Sequence, residues 1–158
     1  LILKRGADID GRSDWSLGSF GDLDFADDET SQFLLRRGAT LTAHAAARLG
    51  MASELRRIIE RNPDAIQERG GDGQYPLHFA KTPEIVDILV DAGADMDARD
   101  LDHCGTTAQT LVLNEAVLRR LVERGAATDI YMAIALDDLQ MVEKFLGRQC
   151  MIRFQDNQ

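Results

Sequence analysis

Residues 70–94 read GGDGQYPLHFAKTPEIVDILVDAGA, and this stretch decides the fold. Asp72-Gly73 is a turn, Pro76-Leu77-His78-Phe79-Ala80 is a short apolar segment, and Ile85, Val86, Ile88 and Leu89 follow at helical spacing until Gly93 stops the run. Thr82 is placed to cap the second helix by accepting a backbone N–H. Pro83 at the first helical position gives up no hydrogen bond that the helix needs. The unit is therefore turn, short helix, corner, helix, stop. Two short helices cannot bury this much apolar surface alone, so the unit requires neighbours of its own kind.

The same helix end recurs along the chain. Leu34-Leu35-Arg36-Arg37-Gly38-Ala39, Leu89-Val90-Asp91-Ala92-Gly93-Ala94 and Leu121-Val122-Glu123-Arg124-Gly125-Ala126 share it, and Ile2-Leu3-Lys4-Arg5-Gly6-Ala7-Asp8 opens the chain with a fourth copy. Gly6 to Gly38 and Gly93 to Gly125 are each 32 residues, with an extra helix end at 58–63 between the pairs. A gap-free offset of 87 matches Gly38 to Gly125, Ala46 to Ala133, Leu49 to Leu136, Leu55 to Val142, Ile58 to Phe145 and Ile59 to Leu146. The same offset matches Gly6-Ala7-Asp8 to Gly93-Ala94-Asp95.

Spacing and content resemble the ankyrin repeat, whose period is about 33 residues with a T-P-L-H-x-A signature. Residues 72–80, DGQYPLHFA, match that signature with Tyr75 in the Thr place. Other units depart from it. Residues 20–26 keep Leu23, Phe25 and Ala26 but place Asp24 where His78 sits, 106–111 keep Thr106 and replace the His with Gln109, and 42–46 keep His44. The run HAAARLG at 44–50 also resembles uncharacterised bacterial ankyrin-repeat proteins. The resemblance implies an all-α ankyrin-type helical repeat solenoid with short β-turn or hairpin fingers, forming a single domain over 1–158. Its units are 1–37 (partial and degenerate), 38–61, 62–92, 93–124 and 125–147, with a tail at 148–158. Gly6, Gly38, Gly93 and Gly125 hold the stop positions, and Pro76, Leu77, His78 and Ala80 the short helix. The resemblance gives His78 a structural role, locking adjacent repeats through backbone hydrogen bonds.

Taken in order, residues 8–20 form a connection long enough for a finger, and Trp15 and Phe20 within it either anchor a partner or fold back over the incomplete first repeat. Helix pair one spans 21–37, capped by Asp27 or Asp28, with Phe33 and Leu34 facing the stack. Unit two lacks a finger; its helices are 41–49 and 51–61, joined at Gly50, with Leu55, Ile58 and Ile59 buried. Unit three has a finger at 62–75 tipped by a hairpin turn at Gly70-Gly71-Asp72-Gly73. Unit four has a finger at 95–105 and helices at 107–113 and 114–124, capped by Asn114. Unit five again lacks a finger, with helices at 128–136 and 138–147, and 148–158 reads as the start of another connection.

Composition sets limits. No apolar run approaches the roughly 18 residues needed to cross a bilayer. Cys104 and Cys150 stand far apart, which points to neither a disulfide framework nor a CxxC site and fits a reducing, cytoplasmic compartment. The chain has no initiator Met and no signal pattern, and Leu1-Ile2-Leu3 reads as the last turn of a helix, so a trimmed chain is expected. Asp22, Asp24, Asp27, Asp28 and Glu29 read as helix caps and an acidic first turn, because Ala26 breaks a calcium-loop pattern. A zinc reading of His103-Cys104 with Asp100 and Asp102 lacks the second Cys or His pair that a structural site needs. Residues 70–73 are no phosphate loop, since no Gly-Lys-Ser/Thr follows. No metal or other cofactor is expected.

What remains is surface. The net charge of −9 includes Asp8, Asp10, Asp14, Asp72, Asp95, Asp97, Asp100 and Asp102 at expected finger positions, a face that repels nucleic acid and anionic lipid and steers a basic protein partner. Arg56, Arg57, Arg61, Arg119, Arg120 and Arg124 read as the solvated backs of second helices. The expected function is a non-catalytic protein-interaction module. Its partner-binding residues would be Asp14, Trp15, Phe20, Asp72, Gln74, Asp95, Asp97, Asp100, Asp102 and His103. The alternative is a regulatory or spacer segment of a longer polypeptide, and less so an enzyme.

Overall fold

The structure, a computed structural model, describes residues 6–15, 18–101, 107–108 and 114–155, without the side chains at 14, 15, 18 and 148–155. Capping side chains decide where the helices begin. Asp27, Thr42, Thr82 and Asp129 each accept the backbone N–H three residues on, starting α1 (Asp28–Arg36), α2 (Ala43–Leu49), α4 (Pro83–Asp91) and α6 (Ile130–Ala135). Asn114 accepts from both Ala116 N and Val117 N ahead of α5 (Glu115–Arg124). The remaining helices are α3 (Ala52–Arg61) and α7 (Leu139–Gln155), the latter entered at Asp138, whose Oδ1 accepts from Met141 N.

The repeated stops share one geometry. At Gly38, Gly93 and Gly125 the backbone turns left-handed, and the following alanine N–H reaches back to a carbonyl of the last turn: Ala39 to Leu34, Ala94 to Leu89, Ala126 to Leu121. The corners inside units two and five repeat the device, with Met51 N to Ala46 O and Asp138 N to Ala133 O, both 2.9 Å. Gly50 supplies the left-handed residue at the first corner (φ 72°) and Asp137 at the second (φ 53°), 87 positions apart. The offset read from sequence thus extends to caps and corners.

Helix pairs stack through one main core. Leu55, Leu77, Ile85, Val86, Leu89, Val117 and Leu121 are sealed in it, while Leu23, Leu34 and Ala45 form a smaller cluster near the start and Leu118, Met132 and Leu136 another near the end. The first helices of units one and three are single 3₁₀ turns, Asp22–Asp24 and Pro76–Phe79. The first finger is a two-stranded antiparallel hairpin, β1 (Arg12–Trp15) with β2 (Gly18–Gly21), registered Arg12 to Gly21.

Several expectations need correction. The α2 helix starts at Ala43, not at residue 41, because Thr42 serves as its cap. Phe33 faces solvent beneath the Arg37 guanidinium, 4.7 Å from the ring centroid, and only Leu34 of that pair is buried. Ile58 and Ile59 are half-buried against the main core. The finger of unit three carries the expected turn but no strands: Asp72 (φ 55°) and Gly73 (φ 68°) are both left-handed, as a type I′ turn requires, and Gln74 N donates to Gly71 O at 3.1 Å. Its arm at Pro63–Gln67 is a 3₁₀ turn. The last helix continues through Gly147 to Gln155, where the sequence suggests a stop and a tail. Gly147 keeps helical φ, and one internal glycine costs only about 1 kcal/mol against alanine. Asp102, His103, Cys104 and Gln109, the helix expected at 107–113 apart from 107–108, and Leu1 to Leu3 lie outside the described residues. Among the described residues no helix is long and apolar enough to cross a membrane.

Candidate partner-binding face

The fingers meet at the glycine-rich tip of the unit-three finger. A Cβ on Gly71 would fall 1.9 Å from the Phe20 ring, one on Gly73 2.5 Å from Leu101 Cγ, and one on Gly70 2.9 Å from the His44 ring. Glycine is therefore needed here for close approach as well as for the turn, since three neighbouring side chains lie flat on its backbone. Leu101 N donates to Asp72 O at 2.9 Å, and Arg69 reaches Gly73 O and Arg99 O while its guanidinium stacks 4.4 Å over Tyr75. Phe20 is half-buried against Gly71 and against Phe25, 4.5 Å away centroid to centroid.

Most finger carboxylates are engaged within the stack. Asp10 accepts from Thr40 N and Thr40 Oγ1, both at 2.7 Å, and Asp97 accepts from Ala127 N at 2.8 Å. Each clasp spans 30 residues, and 10/40 and 97/127 are related by the offset of 87. One step earlier Asp8 accepts from Asp10 N and Asp95 from Asp97 N, which shapes the turn that aims the second carboxylate. The Thr40 backbone hydrogen bond holds the Asp10 carboxyl below its ordinary pKa. Asp100 is buried, and Gln74 is buried with its carbonyl accepting from Gly70 N at 2.8 Å. Asp14 and Trp15 lie in β1 opposite Ser19 and Gly18; their side chains lie outside the description, as do Asp102 and His103. Sequence reasoning grouped these residues as one exposed face; the structure brings Phe20, Asp72 and Gln74 to a single packed fingertip and places Asp95 and Asp97 on the next finger.

The signature histidine explains its own replacement. His78 Nδ1 accepts from Tyr75 N at 3.2 Å, and Asp24 Oδ2 accepts from Gly21 N at 2.7 Å, so an aspartate makes the same capping bond in unit one. Asp24 is buried, with the Arg12 guanidinium 3.9 Å away. His44 occupies a different register. Thr42 caps its helix as Tyr75 leads its own turn, so Ala45 stands in the place of His78 and His44 in that of Leu77. From there its Nε2 donates to Gln74 O at 3.2 Å across to the next unit, and burial pushes its pKa below the ordinary 6.5. Arg48 ties unit two in the other direction, back to unit one, donating to Leu23 O, Ala26 O and Ser31 Oγ.

The arginines of the second helices are not merely solvated. Arg120 and Arg124 both donate to Asp87 Oδ1, at 2.8 and 2.6 Å, and Arg124 also reaches Asp91 Oδ1 at 2.6 Å, joining α5 to α4. The hydrogen bond from Arg120 is the main reason that the Asp87 pKa is lowered. Arg56 makes a longer, exposed contact to Glu84 at 3.5 Å.

What stays open is a strip along the first hairpin. One cleft of about 210 Å³ lies between that hairpin and unit two, lined by Ile9, Asp10, Arg12, Leu23, Asp24 and Thr40 among others. A second of about 390 Å³ lies on the other side, over Ser13, Phe20 and Phe25, and the two share Gly21 and Asp22. Phe25 is 67 % exposed. Sequence reasoning treated Phe25 as a repeat-forming residue; the available signal was its place at the open x of the T-P-L-H-x-A pattern. Among the described residues, no group of three or more His, Cys, Asp or Glu side chains is arranged to hold a metal ion.

Comparison with protein families matches the ankyrin repeat model to residues 72–101. No curated protein matches the chain.

Proposed function

We propose, from the premise that this chain is an ankyrin repeat protein, that it is a non-catalytic recognition module that binds a protein partner through its concave face and fingers. Ankyrin repeats mediate protein–protein interaction, and an extended repeat surface suits that task because each unit adds contact area without a closed active-site cavity. The observation that carries the reading is the exposed Phe25 packed at a tilt against Phe20 in one cleft, which shares Gly21 and Asp22 with a second. An aromatic held by its neighbours loses little conformational freedom on binding and so makes an effective anchor. Asp22 and the acidic composition favour a basic partner over nucleic acid or anionic lipid, and the cytoplasm remains the compartment that best fits the cysteine usage.

Capture from source lysate tests this, run with the native chain beside Phe25→Ser and Asp22→Asn variants and followed by mass spectrometry. A protein held by the native chain and lost with Phe25→Ser, at unchanged circular dichroism, is the expected outcome. Equal capture by all three would move the site away from the hairpin. Asp97→Asn is a poorer probe, because that carboxylate already closes the clasp to Ala127.

A further inference from the structure

The fold stacks two guanidinium groups on its own rings, Arg37 over Phe33 at 4.7 Å and Arg69 over Tyr75 at 4.4 Å from the ring centroid. Phe25, the more exposed ring, has no such cover among the described residues. It packs on Phe20, 4.5 Å away with the ring planes at 54°, and Phe20 in turn lies on Gly71, so the aromatic is held in place from behind. Asp22 and Phe25 stand three residues apart across a 3₁₀ turn, which Phe25 N closes by donating to Asp22 O at 3.4 Å. Side chains at that spacing lie one above the other. Carboxylate and ring accordingly line one cleft, the larger of the two beside the hairpin.

The polar groups around that cleft are engaged, and Asp22 is the exception. Asp10 accepts from Thr40, Asp24 from Gly21 N, and Ser13 Oγ exchanges hydrogen bonds with the Phe20 backbone. Arg12 is turned to Ser19 and Asp24. Asp22 is exposed, and among the described residues no hydrogen bond or ion pair reaches its carboxylate. The net charge of −9 draws any cation toward this surface, but an aromatic face beside a free carboxylate selects among cations. A guanidinium lays its plane on the ring and aims paired N–H groups at the carboxylate, which the point charge of an ammonium cannot do. Resting on the recognition role proposed above, we infer that this cleft takes an arginine side chain of the protein partner, its guanidinium stacked on Phe25 and paired with Asp22.

NMR titration of the isotope-labelled chain with acetyl-Gly-Gly-Arg-Gly-Gly-amide tests this, beside the same peptide with lysine or citrulline at its centre. The arginine peptide is expected to shift the Asp22 and Phe25 amides and to bind about threefold more tightly than the lysine peptide of equal charge. Citrulline, flat but uncharged, should bind about tenfold more weakly than arginine. Phe25→Leu keeps an apolar side chain and should erase the preference for arginine over lysine, Phe25→Tyr should retain it, and Asp22→Asn should weaken both charged peptides about threefold. These side chains are exposed, so circular dichroism should stay unchanged. Equal binding of the arginine and lysine peptides by the native chain would overturn the inference, as would a preference that persists in Phe25→Leu. A captured partner that is lost with Phe25→Ser but not displaced by excess arginine peptide would also sink it, while leaving the recognition module standing. Failure of the module itself reads differently, as equal capture by the native chain and Phe25→Ser.

Discussion

Units two and five are built to one plan and live in different surroundings. Thr42 and Asp129 cap their first helices, Gly50 and Asp137 turn their corners, and Ala46 and Ala133 are both fully sealed, all 87 residues apart. Yet Leu55 is completely buried while Val142 is half-buried, and Ala47 is covered while Ile134 is not. The difference teaches that a repeat's own residues set its local conformation, whereas its neighbours set how much that conformation is worth. Burial at matched positions is a property of the stack.

The largest test of that contrast is truncation at the matched core positions. Leu55→Ala should cost about 2–5 kcal/mol in urea denaturation, and Val142→Ala clearly less, about 1 kcal/mol, because its cavity opens toward solvent. Equal losses would mean that unit five is as enclosed as unit two. Next comes the fingertip, which has no counterpart in either unit. Gly71→Ala forces a methyl into the Phe20 ring and should destabilise by about 1–3 kcal/mol, and adding Phe20→Ala to it should recover part of the loss. A smaller effect, of opposite sign, is expected at the second corner: Asp137→Gly places at φ 53° the residue that Gly50 already supplies at φ 72°, stabilising by about 1 kcal/mol. No gain would mean that the aspartate side chain supports the corner in some other way.

The subtlest contrast is in pH. His44 is held neutral by burial, so its folded pKa lies below the unfolded 6.5. The unfolded chain then binds the proton first; the stability that His44 contributes is complete above pH 6.5 and falls as pH drops toward the folded value. Unit five carries Tyr131, not a histidine, at the matched position. A His44→Gln variant should therefore flatten the stability profile in weak acid, and an unchanged profile would place the titrating group elsewhere. At lower pH the carboxyls of Asp10, Asp27 and Asp87, all depressed below the ordinary 3.8, add a separate loss that the variant leaves in place.

Local features were legible in the sequence. Thr82, Asn114 and Asp27 cap where their residue types and positions say they should, the Gly-Ala stops turn left-handed, and Asp72-Gly73 makes its turn, because each outcome depends on a few adjacent residues. What escaped depends on partners 30 to 51 residues away. Whether Asp97 greets solvent or a backbone N–H is decided by Ala127, and whether Phe20 projects or lies down is decided by Gly71. The arginine ladder of α5 escaped for the same reason, since its acceptors Asp87 and Asp91 stand on the preceding helix. The end of α7 failed differently: a lone Gly147 reads like a stop, but the glycine stops at 38, 93 and 125 are each joined by a returning alanine N–H as well.

The clasps that join one unit to the next, Asp10 to Thr40, His44 to Gln74 and Asp97 to Ala127, form a series along the chain. A molecule pulled by its two ends would load them one after another, not all together. Each unit would peel from the stack as its own clasp gave way, and the chain would lengthen in successive steps, as a tether yielding under load.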